Sequence, residues 1–322
     1  MMNRRHFSAS MGALALSPSV FAQSAYPQRP ITLVVPFSAG SVVDVQARLI
    51  ARALSDNLGQ PIVIDNRVGV SGSIGAEFVA RAAPDGYTIL LGTQGTQGTN
   101  TVLFKNIRYD PIKDFVAIHG LTGNANVMVC NPNTKFKTVA DVIEFGKQQP
   151  GKLNFGSGGN GTSAHLCLEL LQTQTGARFN HIPYKATTAA LVDLIAGNVD
   201  VLFDYVQTSR AHIRDGKINA HAVTSTSRLA ALPNVPTMTE AGIPSVVAMN
   251  WGGIFAPANT PAPIVKRLSD GVGQALNSPE VTAALDAVSS VKIGMPHEQF
   301  TPFVAGEAAK WAEVIRKSGA SL

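Results

Sequence analysis

Two cysteines, Cys130 and Cys167, are all that the 322 residues contain. So few exclude a disulfide scaffold, and no Cys/His cluster has the spacing of a zinc site, so no metal is expected. Charge is sparse too, with Lys, Arg, Asp and Glu making up only 15% of the chain and the formal net charge at +5. With no Lys/Arg-rich run and no RNA-binding signature, nucleic acid is excluded as a partner. No low-complexity linker occurs, and past the N-terminus nothing approaches the ~20 apolar residues of a membrane span. What the chain has is 45% hydrophobic content, enough to bury substantial cores, and a length that favours two domains.

The first 22 residues read as a signal peptide. Arg4 and Arg5 form a basic start, Phe7 to Val20 is a short apolar stretch, and Val20-Phe21-Ala22 offers a small-residue cleavage site before Gln23. Asn3-Arg4-Arg5-His6-Phe7 also resembles a twin-arginine signal, so both export routes stay open. The expected mature protein is soluble and periplasmic. Loss of Arg4 and Arg5 lowers its formal charge from +5 to +3, a mild excess that suits acidic small molecules. Export makes a disulfide chemically possible, but Cys130 ends an apolar run and Cys167 lies on an apolar helix face beside Leu171, as buried free thiols do.

Strand-like and helical patterns alternate. Ile31–Phe37, Ile62–Asp65 and Thr88–Gly92 predict strands, with helices at Val45–Leu58 and near Ala76–Ala82. The cycle repeats from Asn126 with strands at Val127–Cys130, Leu153–Phe155, His181–Tyr184, Val199–Phe203 and Ala220–Thr224. Helices at Val139–Lys147, Ser163–Gln172, Thr188–Ala196 and Ser209–Arg214 lie between them. This rhythm predicts an α/β fold of two lobes with parallel strands. After Val246–Pro257 the chain turns helical: Pro263–Leu276, a short helix opened by Ser278 and Pro279, and Gln299–Lys317. Helices without strands cannot form a sheet domain, so they are expected to return to the first lobe. That divides the chain into a first domain of residues 23–124 and 249–322 and a second of 125–248, with crossings near Gly123–Asn126 and Met249–Gly253. A double crossing is a hinge.

In each lobe an apolar strand meets a Gly/Ser-rich turn and then a helix. Pro36-Phe37-Ser38-Ala39-Gly40-Ser41 precedes Asp44, and Gly156-Ser157-Gly158-Gly159-Asn160-Gly161-Thr162-Ser163 precedes His165. A helix N-terminus presents unpaired N–H groups and a positive dipole end, so two such turns can trap one anion between them. The second turn formally matches the dinucleotide fingerprint G-x-G-x-x-G, but the next strand, His181-Ile182-Pro183-Tyr184, carries no ribose-binding acid. No cofactor is expected. A hydrolase would have to pair Ser157 or Ser163 with His165, and no G-x-S-x-G elbow occurs. Asp44 is placed to cap the first helix or to bond the turn amides. Asp204, at a strand end, either meets a ligand amine or holds facing loops. Phe37, Tyr205 and Trp251 are candidates for aromatic walls.

From Tyr26 onward the chain resembles the Bug family of extracytoplasmic solute-binding proteins, the receptors of tripartite tricarboxylate transporters. The stretches that carry the likeness include Tyr26-Pro27-Gln28-Arg29-Pro30-Ile31, Pro36 to Asp44, Ala83-Pro84-Asp85-Gly86-Tyr87-Thr88, Tyr109-Asp110-Pro111-Ile112-Lys113-Asp114-Phe115, Pro150 to Ser157, Ile182-Pro183-Tyr184-Lys185 and Leu232-Pro233-Asn234-Val235-Pro236-Thr237. The resemblance implies a type II periplasmic-binding-protein fold, two α/β lobes closing on a ligand in a hinged cleft. It further implies a carboxylate ligand held by the two turns, membrane permease subunits as partners, and no chemistry; a monomer is expected, since hinge closure needs no second subunit. Carried over by position, the binding residues are Ser38, Gly40, Ser41, Thr93, Thr96, Ser157, Asn160, Gly161, Thr162, Ser163 and Asp204, with His165 at the helix start. Two departures add apolar surface: Ser41-Val42-Val43 where the family has Gly-Gly followed by small or polar residues, and Tyr205 after Asp204 where it has Asn. With Phe37, Val42 and Tyr205 these suggest an aromatic carboxylate or dicarboxylate, such as terephthalate. A sensor-docking protein that binds the same solute remains the alternative partner reading.

Overall fold

The apolar, β-branched runs Ile31–Val35, Ile62–Asn66 and Thr88–Thr93 form strands β1, β2 and β3, with β1 parallel to both neighbours. The computed structural model describes residues 26–319, so the signal peptide expected at 1–22 lies outside the described residues. Helix α1 (Val42–Leu58) joins β1 to β2 and starts three residues before the expected Val45. The cause is the cap: Ser41, not Asp44, is the N-cap, its hydroxyl accepting from Asp44 N at 3.2 Å. Helix α2 (Ser73–Ala80) leads to β3, and a π-helical turn over Gly95–Thr99 runs into the short α3 (Asn100–Leu103).

The largest departure from expectation is β4, which spans Phe115–Cys130 rather than Val127–Cys130 alone. Its first part is broken by register shifts at Ala117/His119 and Gly120/Thr122, and its polar Thr, Gly and Asn residues hide strand periodicity. Beyond it come α4 (Val139–Gln148), β5 (Asn154–Ser157), α5 (Ser163–Thr175), β6 (Asn180–Pro183), α6 (Thr187–Ala196), β7 (Val201–Tyr205), α7 (Val206–Arg214) and β8 (Asn219–Val223). The chain returns through β9 (Met249–Pro257), α8 (Ala262–Leu276), α9 (Pro279–Ala287), β10 (Val291–Lys292) and α10 (His297–Ser318). The main strand order is β2-β1-β3-β9-β4-β7-β5-β6, with β8 and β10 also paired to β4.

One sheet therefore has two halves joined along β4. Residues Phe115–Ala125 pair with β9, while Asn126–Cys130 pair with β7 and β8. The two crossing segments are direct neighbours, Asn124 opposite Asn250 and Ala125 opposite Met249. Helices α1, α8 and α9 cover the first half through a core that includes Leu33, Leu54, Leu268 and Leu285.

Helix α10 goes further than a return to the first lobe. Its Phe300 and Val304 pack with Trp251 and Phe255, but Trp311, Val314 and Ile315 join Met128, Phe155 and Phe203 in the core of the second half. At 1.5 Å per residue, its 22 residues reach about 33 Å, enough to flank both. Cys130 and Cys167 are free and buried. Among the described residues no helix is long and apolar enough to cross a membrane.

Candidate ligand-binding cleft

The first turn is held from below by a buried carboxylate. Asp44 accepts from Gly40 N at 2.9 Å, from Asn66 Nδ2 at 2.8 Å and from both ends of the Arg48 guanidinium at 2.9 and 3.0 Å. Arg48, then Asn66 and Gly40, hold its carboxyl well below the usual carboxylate range. Gly40, at φ +80°, takes the left-handed bend that returns its N–H to this carboxylate. Ser41 N donates to Ser38 O, so the turn spends its own donors on itself. The N–H groups of Val42 and Val43, first in α1, have no partner among the described residues.

The second turn is also self-supporting. Ser157 Oγ lies 2.6 Å from His181 Nε2 and receives Gly159 N, while Gly161 N donates to His165 Nδ1 at 3.0 Å. The Thr162 hydroxyl caps α5 by accepting from His165 N. The imidazoles of His165 and His181 stack with centroids 4.4 Å apart, and His165 Nε2 is 3.5 Å from Glu169. The histidine beside Ser157 is thus His181, not His165, because β5 and β6 pair in register while α5 turns His165 toward Gly161.

Burial, reinforced by neighbouring His165, lowers His181 from 6.5 to about 4. The unfolded chain then binds more protons than the folded chain between those values, so stability should fall as pH drops from 6.5 toward 4. Urea titrations at pH 7, 5.5 and 4 check this, and equal stability at all three would contradict it. Below that window Asp44 adds a second loss, as its depressed carboxyl protonates.

Between the two halves of the sheet lies a cavity of about 440 Å³. Phe37, Val42, Val43 and Gln46 wall it on one side, and Asn160, Gly161, Thr162, Tyr205 and Gln207 on the other. Leu91, Thr93, Leu103, Phe104 and the crossing residues Asn124, Asn250 and Trp251 complete much of the remainder. Among the described residues no Asp, Glu, Lys, Arg or His lines it.

Of the residues singled out in the sequence, Phe37, Val42, Val43, Thr93, Asn160, Gly161, Thr162, Tyr205 and Trp251 meet at this cavity. Ser38 and Gly40 stand exposed outside its lining, and Ser41 is occupied as a cap. Thr96, Ser157 and His165 are buried behind the wall, Thr96 closing the turn after β3 by accepting from Thr93 N. Ser163 Oγ receives Asn126 Nδ2 at 2.8 Å. Asp204 is buried on β7, one oxygen accepting from Thr208 and Ser209 hydroxyls at 2.5 and 2.6 Å and the other without a side-chain or backbone partner among the described residues. Burial pushes its carboxyl up. Its hydroxyl partners lie in the first turn of α7, so the carboxylate holds the start of the helix that follows its own strand. The Tyr205 hydroxyl accepts from Asn250 Nδ2 at 2.8 Å, which ties the second half to the returning strand.

Sequence reasoning missed Gln46, Asn100, Asn124, Gln207 and Asn250. Only Asn124 and Asn250 carried a signal, since both fall in the expected crossings. Among the described residues no group of three or more His, Cys, Asp or Glu is placed to hold a metal.

Comparison with known proteins adds to this geometry. A family model described as the tripartite tricarboxylate transporter family receptor matches residues 46–320. Protein BugT of Bordetella pertussis is 38% identical over 298 residues, 92% of this chain and 91% of its own length. A structure of an R. palustris protein with adipate is 36% identical, covers 92% of this chain and 100% of its own, and superposes with a TM-score of 0.71. A TctC solute-binding protein from Polaromonas without ligand is only 28% identical over 91% of this chain and 100% of its own, yet reaches a TM-score of 0.84.

Proposed function

The chain belongs to the tripartite tricarboxylate transporter receptor family, and from that premise we propose that it captures an aromatic carboxylate or dicarboxylate, such as terephthalate. The supporting observation is the cavity lining, which includes Val42 and Val43, the first residues of α1, and an apolar body of Phe37, Leu91, Leu103, Phe104 and Trp251, and which holds no charged side chain among the described residues. One carboxylate suits the end of α1, where the dipole and two amides meet it. The three carboxylates of citrate would enter without a single cation to meet them, at a high desolvation cost. An apolar ring or methylene chain instead displaces water from the Phe37 and Val42 surfaces.

The wider reading follows the family. The protein is exported by its first 22 residues, holds residues 23–124 with 249–322 and residues 125–248 as two closing lobes, and works as a monomer that passes its ligand to permease subunits. Catalysis by Ser157 or Ser163 is disfavoured. Ser157 is fully buried against His181, Ser163 is tied to Asn126, and neither lines the cavity.

Thermal-shift screening of benzoate, terephthalate, adipate, malate, citrate, glutamate and nicotinate tests the ligand class. A ligand at 100 times its dissociation constant adds about 2.7 kcal/mol of stability. Stabilisation by terephthalate or adipate is expected; a response to citrate or glutamate alone would refute the proposal.

A further inference from the structure

The turn that brings Asn160, Gly161 and Thr162 to the cavity hangs from two stacked imidazoles. His165 Nδ1 receives Gly161 N at 3.0 Å, while His181 Nε2 meets Ser157 Oγ, which in turn receives Gly159 N at 3.1 Å. A backbone N–H can only donate, so Nδ1 of His165 is the bare nitrogen of a neutral ring, and its proton sits on Nε2, 3.5 Å from Glu169. His165 is 6% exposed and does not itself line the cavity. Its imidazole acts on the wall through Gly161.

A second proton on this ring goes to Nδ1. That turns the acceptor into a donor and sets one N–H against another, so the link to Gly161 is lost. Among the described residues, the titratable groups that face the ring are Glu169 on its own helix and His181 on β6. Residues 156–162 of the turn supply none. On α10, Glu307 and Lys310 pair with each other, and on β7 Asp204 is held by Thr208 and Ser209. Burial holds His181 down to about 4, so it stays mostly neutral at pH 5 and above.

We infer that His165 is the positioning residue of the second turn, and that the turn is shaped for ligand only while Nδ1 is unprotonated. This rests on the carboxylate-receptor reading and adds a proton-dependent grip to it, with acid loosening the ligand. The sign is diagnostic. An imidazolium in direct contact with a carboxylate would tighten binding as the pH falls, whereas loss of the Gly161 link weakens it.

Calorimetric titration of the purified exported protein with terephthalate and with adipate, at pH 7.5, 6.5, 5.5 and 5, tests the assignment. His165→Asn is the deciding variant, because Asn Oδ1 stands as many bonds from Cα as Nδ1 does and accepts without titrating. His165→Leu removes the acceptor. Both variants lose the imidazole stack, so the difference between them isolates the hydrogen bond. At pH 7.5 His165→Leu should bind about tenfold more weakly than the unaltered protein, and His165→Asn should recover most of that loss. From pH 7.5 to 5 the unaltered protein should lose about tenfold more affinity than His165→Asn, in which the ligand's own protonation still acts. Parallel pH profiles, tighter binding in acid, or equal affinities of the Leu and Asn variants at pH 7.5 overturn the role of His165 alone. Failure of the unaltered protein to bind any acid of the thermal-shift screen at pH 7.5 overturns the carboxylate reading itself. Melting curves confirm that each variant is folded, and the pH profile of the Asn variant decides the matter if the Leu variant is not.

Discussion

Replacing Gly161 with valine should weaken ligand binding at least a hundredfold while leaving the protein folded. Gly161 sits at φ +76°, a conformation that a β-branched residue adopts only under strain. Its N–H is also the link to His165 Nδ1 that fixes the turn against α5. Valine would relieve its strain by rotating the backbone, which breaks that link and carries Asn160 and Thr162 away from the cavity wall. The strain itself is only about 1–2 kcal/mol and falls in a surface loop, so the melting temperature should drop by about 2–8 °C. Affinity suffers more because three consecutive wall residues move together, and a factor of a hundred corresponds to about 2.7 kcal/mol. Titration with the best ligand of the thermal-shift screen, alongside circular dichroism, provides the measurement. Wild-type affinity in Gly161→Val would remove the second turn from the binding site.

Trp251→Ala should have the largest effect on stability, about 3–5 kcal/mol in urea denaturation. That is a large part of the 5–15 kcal/mol that holds a typical protein together. The indole is 1% exposed, meets Phe300 and Phe303 edge-on at 5.8 and 5.5 Å, and packs against Phe255 at 6.5 Å. Its Nε1 and that of Trp311 converge on Glu307 Oε2, while Lys310 pairs with the other oxygen. Alanine would open a cavity where α10 crosses the hinge strands and remove one of the indole donors from a nearly buried carboxylate. Trp251→Phe, which keeps most of the volume and loses the N–H, should cost about 1–2 kcal/mol. Because Trp251 also walls the cleft, ligand affinity should fall in the alanine variant. A loss below about 1 kcal/mol would mean that α10 and the hinge are coupled elsewhere.

The fold was more legible than the site. Strands such as Ile31–Val35 announce themselves by short apolar runs, and so does β7, expected at Val199–Phe203 and found two residues further on at Val201–Tyr205, while Ser278-Pro279 and Thr162-Ser163 mark helix starts by their capping chemistry. Strand β4 did not, because a strand shared by two half-sheets and interrupted by two register shifts keeps no simple alternation. In the site, the turns were found but not the direction of their donors. Ser157 looks like a ligand hydroxyl in sequence and is instead bound to His181, 24 residues away. Gln46 looks like an ordinary helix-surface residue until the wall around it is seen.

By itself, the sequence determined the α/β class, the two Gly/Ser turns that open helices and the free state of the thiols as its better reading. These follow from interactions within a few residues, where backbone sterics, capping and periodicity act. Only the tertiary structure decided that Asn124 and Asn250 lie side by side, that α10 serves both halves, and that Val42, Gln46 and Tyr205 face one uncharged cavity. Those arrangements depend on which distant surfaces bury each other, and the burial free energy that selects them belongs to the assembled core rather than to any local stretch of chain.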